Sequence, residues 1–219
     1  MEGGIGVVKL FQDGGELMWP LLGFSIIGIG IIILRLIVLT RAGTTSRGTI
    51  KRLRNAITQG DIEGAINVCE KSSGPIAVIM LAGLRRVHRG PESVSTAIEN
   101  AGTLEMAFLE KGLIWLSTIA TVAPLLGFLG TVIGMIQAFA AIEVAGEVEA
   151  TLVAGGIKVA LITTASGLAV AIPMNLFHNY FVTRIDSLIL DMEESSAHLL
   201  DVLEKGRDEP ATADSGVLI

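Results

Sequence analysis

Three stretches of this chain contain no Asp, Glu, Lys or Arg: 18 residues between Glu16 and Arg35, 31 between Lys111 and Glu143, and 25 between Lys158 and Arg184. About 20 predominantly apolar residues span the hydrocarbon core of a bilayer as one helix. In hydrocarbon, every backbone N–H and C=O must be satisfied within the protein, and a helix does so within one segment. The runs therefore predict an all-α integral membrane protein with three transmembrane helices. Only 17% of the 219 residues are charged, against about 25% in an average soluble domain. An ordinary cytosolic enzyme, a disordered chain and a secreted disulfide scaffold are excluded. The net charge of −6 gives no reason to expect a nucleic-acid partner, and the single cysteine, Cys69, excludes an intrachain disulfide.

The remaining residues divide around these spans. Residues 1–16 read as an interfacial helix with Val7, Val8, Leu10 and Phe11 on its apolar side, ended by Asp13-Gly14-Gly15. Residues 17–39 form span one, entered through Trp19-Pro20 and read as an anchor rather than a removable leader. Residues 40–112 form a polar helical insert with ten Lys/Arg and seven Asp/Glu. In it, Ile50, Leu53 and Ile57 share a face, Gly60-Asp61 opens a helix carrying Ile62, Ala65, Ile66 and Cys69, and Gly74-Pro75 and Gly90-Pro91 mark two further starts. The helix from Ser93 is expected to run unbroken into span two, with Leu104, Phe108 and Leu113 on its buried side. Span two covers 113–142, an acidic link 143–155, and span three 156–182. A helix at 183–205 should bury Ile185, Leu188, Met192, Ser195 or Ser196, and Leu199. Residues 206–219 read as a short, disordered polar tail.

Lys and Arg in short loops stay on the cytoplasmic side. The insert holds ten of them, the link between spans two and three none, and the N-terminal segment only Lys9. This predicts a cytoplasmic insert and C-terminal helix, with the N-terminus and the acidic link on the outer side.

The small residues form stripes. Ala120, Gly127, Thr131, Gly134, Ala138 and Ala141 recur at helical spacing in span two; Ala160, Thr164, Gly167, Ala171, Asn175 and His178 do so in span three. Such stripes let membrane helices approach closely, and glycine alone leaves plain packing open. The threonines add a polar element. Folding spans two and three into a hairpin at Gly146 brings Thr131 and Thr164 within about 5 Å in depth, at 1.5 Å rise per residue, with Thr163 beside one. This points to a polar surface facing a lumen or a partner helix, with Gly127, Gly134, Ala138, Ala160, Gly167 and Ala171 on the same pore face. Two such stripes exceed what one subunit is expected to bury, so a homo-oligomer is expected. Lys158 reads as snorkelling to the headgroups.

No Asp or Glu lies in any span, so a transferred proton needs a carboxylate from another chain. There is no Walker loop and no zinc spacing, and Ser166 has no local base. The expectation is a protein that is not an enzyme and has no cofactor and no metal.

Two segments, Pro124-Leu-Leu-Gly-Phe-Leu-Gly-Thr-Val-Ile-Gly-Met-Ile136 and Gly155-Gly-Ile-Lys-Val-Ala-Leu-Ile-Thr-Thr-Ala-Ser-Gly-Leu-Ala-Val-Ala-Ile-Pro173, resemble the MotA/TolQ/ExbB proton-channel family, most closely its ExbB/TolQ branch. The resemblance covers nearly the whole chain. It implies a homopentamer in the bacterial inner membrane, with spans two and three around a central pore. It also implies a dimer of a single-span ExbD- or TolR-like partner in that pore, whose membrane aspartate carries the proton past Thr131 and Thr164. A TonB- or TolA-like protein and membrane lipids are the further partners implied. The chain departs from the ExbB/TolQ pattern at Val159-Ala160-Leu161, where relatives often read Glu-Ala-Leu, with Lys158 just before. The alternative of a different class is a non-conducting oligomeric membrane scaffold that binds partners through its cytoplasmic helices.

Overall fold

The computed structural model describes residues 2–147 and 149–208. Among the described residues, seven α-helices run in order: α1 Glu2–Asp13, α2 Met18–Thr58, α3 Ile62–Lys71, α4 Pro75–Leu84, α5 Pro91–Glu110, α6 Leu113–Ala145 and α7 Ala150–Asp208, with a 3-10 turn at Val87–Arg89 between α4 and α5. No strand occurs among the described residues. Three segments of the described residues are long and apolar enough to cross a membrane, within Met18–Ala42, Pro91–Ala145 and Val153–Glu204. The chain divides into two units, one of Met1–Arg35 with Gly112–Phe181 and one of Leu36–Lys111 with Val182–Ile219.

The first unit holds α1, the start of α2, α6 and most of the apolar part of α7. Its large side chains point mainly outward: Ile26, Leu34, Trp115, Phe128, Ile136, Phe139 and Leu161 are all more than half exposed. That pattern suits a lipid solvent, which is as apolar as these residues and drives none of them inward. A small cluster of Met18, Leu21, Ala123 and Ala171, with Phe11 and Ile162 against it, seats the α1–α2 elbow on α6 and α7. Phe11 meets Trp19 edge to face at 5.2 Å. Val8 and Leu10 of α1 are exposed, so Phe11 carries its inward contact.

The second unit is built like a soluble helical domain. Leu53, Ile57, Ala65, Cys69, Ile79, Met80, Leu84, Val94, Met192 and Leu199 form one core drawn from α2, α3, α4, α5 and α7. Asp61 caps α3 by accepting from the Gly64 N–H at 2.8 Å, which satisfies one orphan donor of the first turn. Gly74-Pro75 and Gly90-Pro91 open α4 and α5, with Pro at the first helical position where no N–H is needed. The α7 extension buries Ile185, Leu188, Met192, Ser195 and Leu199, the face its spacing predicts.

Two expectations for α5 fail. The helix from Ser93 does not continue into span two; it stops at Glu110, and α6 begins at Leu113. Gly112 between them has φ +90°, a left-handed conformation that a residue with a Cβ resists. Leu104 is 72% and Phe108 57% exposed, while Val94, Ala97, Ile98 and Leu109 face inward. The break is not the cause of the second failure: at 100° per residue, Leu104 and Phe108 stand about 180° and 140° around from Leu113 even in a continuous helix, so the three never share a face. The expected disorder of the tail falls mainly on residues 209–219, outside the described residues; Gly206 to Asp208 continue α7.

Two glycines should respond oppositely to alanine. Gly102 sits within α5 with nothing within 4 Å of an added Cβ, so Gly102→Ala should stabilise by about 0.5–1 kcal/mol. Gly112→Ala should destabilise by about 1–2 kcal/mol through the left-handed strain. Thermal unfolding of the detergent-solubilised protein reads both. The Cys69 thiol is pushed up to about 11 by burial and, secondarily, by the Glu70 charge. Because the thiolate is the nucleophile, maleimide at pH 8 should label Cys69 far more slowly in the folded than in the denatured protein. Equal rates would mean that α3 does not dock.

Candidate functional site

The α6–α7 hairpin is where the singled-out residues meet. Gly146, at φ +72°, closes α6 in a left-handed cap, and α7 starts four residues later. The two helices then run antiparallel and nearly backbone to backbone. A Cβ added at Gly134 would lie 2.6 Å from the Gly156 carbonyl oxygen, one at Gly127 3.0 Å from the Thr163 carbonyl oxygen, and one at Gly167 2.6 Å from that of Ala123. The contact ladder thus pairs Gly134 with Gly156 and Ala160, Gly130 with Thr163, Gly127 with Thr164, and Ala123 with Gly167.

This ladder corrects the reading of the small stripes. Gly127, Gly134, Ala138, Ala160, Gly167 and Ala171 are buried within this one unit, on the α6–α7 contact or, for Ala171, in the cluster under α2, rather than on an open pore face. The argument that one subunit cannot bury both stripes fails for the same reason: each helix supplies the surface that covers the other.

The threonines differ among themselves. Thr163 is 1% exposed and donates to the Val159 and Ala160 carbonyls, both at 3.0 Å, so its hydroxyl is spent on its own helix. Thr164 is half-buried. Its Oγ1 donates to Ala160 at 3.0 Å and also across to the Gly127 carbonyl of α6 at 3.2 Å. Thr131, also half-buried, donates to the Phe128 carbonyl at 2.6 Å. It sits one turn beyond Gly127 on α6, about 6 Å along the axis from the level of Thr164 at 1.5 Å per residue, as the hairpin arithmetic predicts. The structure therefore brings Thr131 and Thr164 to adjacent levels and sets Thr163 apart as a packing residue.

Two further placements went unread in the sequence. The Nζ of Lys158 pairs with Asp13 at 2.5 Å, tying the end of α1 to α7, while Gly15 lies against Val159 and Gly14 against Met18 and Ile162. No local signal links two charges 145 positions apart. His178 Nδ1 lies 3.4 Å from the Asn179 side chain. Among the described residues, no group of three or more His, Cys, Asp or Glu is placed to hold a metal.

The arrangement is that of a helical membrane protein whose last two apolar helices form a tight hairpin with hydroxyls on its contact face and no Asp or Glu at 113–142 or 156–182. Residues 71–194 match the MotA/TolQ/ExbB proton channel family, and the chain belongs to that family. It is 32% identical over 188 residues to an ExbB homolog of Methanothermobacter thermautotrophicus, covering 85% of this chain and 67% of that protein. It is 36% identical to an ExbB-like protein of Synechocystis, over 74% of this chain and 65% of the relative. To the Tol-Pal system protein TolQ of Haemophilus influenzae it is 38% identical, over 43% of this chain and 42% of that protein. The chain thus spans about two thirds of the length of the first two relatives and less than half of the third.

The ladder implies a graded response to bulk. Gly134→Val should abolish stable hairpin packing, because its neighbour is a carbonyl oxygen with no room to yield. Thr164→Val, which loses one cross-helix hydrogen bond, should cost about 0.5–1.5 kcal/mol. Steric-trapping or SDS-titration unfolding in bicelles distinguishes them; equal effects would mean that the helices do not meet at this register.

Proposed function

We propose that the chain is the multi-span subunit of an inner-membrane proton-channel complex of the ExbB/TolQ kind, in which Thr131 and Thr164 face a carboxylate supplied by a single-span partner. The observation that carries this reading is Thr164. Its hydroxyl lies half-buried between two apolar helices, bridging to the Gly127 carbonyl, in a chain whose spans hold no acid. A charged carboxylate at the centre of a bilayer helix costs roughly 2.5–3.5 kcal/mol on insertion scales, so hydroxyls at that depth alter its energy appreciably. Bonded as it is, Thr164 Oγ1 keeps lone pairs that accept from a protonated carboxyl. A rotation that releases the Gly127 carbonyl frees its O–H to donate to the ionised form. One side chain thus serves both protonation states, as a proton-carrying partner requires.

Assembly follows from what the hairpin leaves uncovered. With the small residues used between α6 and α7, contacts between copies fall to the exposed apolar faces that hold Phe128, Ile136 and Phe139 of α6 and Leu161, Leu168 and Ile172 of α7. The reading is of five copies around a partner dimer. The Lys/Arg-rich insert lies in the cytoplasm and the Glu143–Glu149 link on the outer side, and the complex performs no enzymatic reaction. Its work is on outer-membrane transport or integrity, coupled to proton entry through a TonB- or TolA-like protein; the ExbB relatives carry the name biopolymer transport protein. Protons rather than Na⁺ suit a route lined by hydroxyls alone.

A scaffold reading draws support from one specific feature: Thr131 and Thr163 bond only carbonyls of their own helices, a packing role any membrane threonine can fill. One experiment separates the two. Thr131→Val with Thr164→Val keeps the shape and removes the hydroxyls. The double variant should assemble and co-purify with the single-span partner as the native protein does, while proton-driven activity in cells falls by at least about tenfold, equivalent to 1.4 kcal/mol on the barrier. Ser166→Ala and His178→Gln should have weaker effects. Full activity in a normally assembled double variant would leave the scaffold reading.

A further inference from the structure

A groove in the second unit opens where span one ends. It encloses about 480 Å³ between α2, α4 and α5, and its walls include Val38, Arg41, Pro75, Val78, Glu105 and Phe108. That volume is in the range of small-ligand pockets. Val38 and Arg41 belong to the final turns of the candidate span Met18–Ala42, the level at which a spanning helix leaves the hydrocarbon and meets the headgroups. Val78 is 45% and Phe108 57% exposed, so both keep apolar surface at the groove. Glu105 is half-buried and has neither a hydrogen bond nor an ion pair among the described residues. A carboxylate drawn partly out of water without a counter-charge costs free energy until a cation meets it. Gly74 and Pro75 bring to the same wall the start of α4, which no side chain caps, so first-turn N–H donors are left for an outside acceptor.

We propose that this groove binds an aminophospholipid of the surrounding bilayer, with the primary ammonium on Glu105, the phosphate on Arg41, and the first carbons of an acyl chain along Val38, Val78 and Phe108. Apolar walls at the end of a span call for an amphiphile, and phospholipid is the amphiphile present at that level. Among the described residues, the charged lining is one base and one acid, Arg41 and Glu105, the complement of a zwitterionic headgroup. A carboxylate accepts N–H bonds, which a primary ammonium donates and a trimethylated one cannot, so phosphatidylethanolamine fits where phosphatidylcholine does not. An anionic headgroup such as phosphatidylglycerol would meet Arg41 and leave Glu105 without a cation. A guanidinium carries five N–H donors in a fork that suits phosphate oxygens, so Arg41 takes the phosphate while keeping other contacts. The bound lipid would fasten α2, α4 and α5 to one another at the membrane surface. The assignment rests on the membrane placement of span one and not on the channel reading.

The test is native mass spectrometry of the full-length protein released from nanodiscs that hold phosphatidylethanolamine, phosphatidylcholine and phosphatidylglycerol in equal parts, all with the same acyl chains. Phosphatidylethanolamine should be retained about tenfold over either of the others, the discrimination expected of a hydrogen bond to a charged group. Glu105→Gln should erase that preference. Arg41→Gln should lower retention of all three lipids severalfold, because the phosphate is common to them. Glu110→Gln, which removes an exposed acid outside the groove lining, should change nothing. Val78→Trp fills the groove without altering charge and should abolish retention, with thermal unfolding checking that the variant is folded; the Glu105→Gln comparison stands without it. Phosphatidylethanolamine carrying a diazirine close to the headgroup should label peptides from 71–78 or 104–110, which fixes the place. Retention of the three lipids without preference, a preference that survives Glu105→Gln, or labelling confined to other segments overturns the proposal. Disulfide-linked dimers of Phe108→Cys in a Cys69→Ser background, together with no retained lipid, overturn it in favour of a second copy at this groove.

Discussion

The first unit depends on one constraint: α6 and α7 approach until backbone meets backbone. In a bilayer the hydrophobic effect does not push helices together, because lipid tails solvate Leu and Phe as well as a neighbouring helix does. Association must come from dispersion contacts at close range and from hydrogen bonds. Both need the gap closed, and only residues without bulk permit that. Gly127, Gly130, Gly134, Gly156 and Gly167 each sit where an added Cβ would collide with the opposing helix. The Thr164 bond to the Gly127 carbonyl exists only because those residues let the helices come this near. The hydroxyl that carries the functional reading is thus a consequence of the packing, not an addition to it.

Two helices, α2 and α7, serve two solvents. α2 and α7 are each continuous through a lipid-suited segment and a water-suited one, and their patterns change accordingly. Before Arg184, α7 exposes Leu161, Leu168, Ile172 and Leu176, which costs nothing in lipid. After it, Ile185, Leu188, Met192 and Leu199 fall on one buried face with charges opposite, as burial from water demands. Helix ends in the second unit are set by capping and proline chemistry, as at Asp61, Pro75 and Pro91.

The ion pair between Lys158 and Asp13 joins these ideas. A lone ammonium near a span end would normally reach for the headgroups. Here the α1–α2 elbow seats Asp13 beside it, so the charge is met inside the protein and α1 is held against α7. Gly15 of the elbow lies against Val159, the residue next to that lysine.

The chain itself determined which solvent each segment meets, because three runs without charge have no other stable environment, and it determined where most helices begin, because caps and prolines act locally. The small stripes and matched threonines were legible too, since helical period and hairpin arithmetic need no tertiary information. The break at Gly112 was missed because a lone glycine without proline looks tolerable in a helix; the inward face of α5 was misassigned separately, because Leu104 and Phe108 do not share a helical face with Leu113 at 100° per residue. Only the tertiary structure decided what the stripes face. A row of small residues is equally suited to a lumen, a second copy or the adjacent helix, and the choice depends on how two helices cross, which no single helix encodes. The structure turns the two rows on each other. That buries the six small residues, spends the Thr163 hydroxyl, and leaves Thr131 and Thr164 half-exposed at adjacent levels.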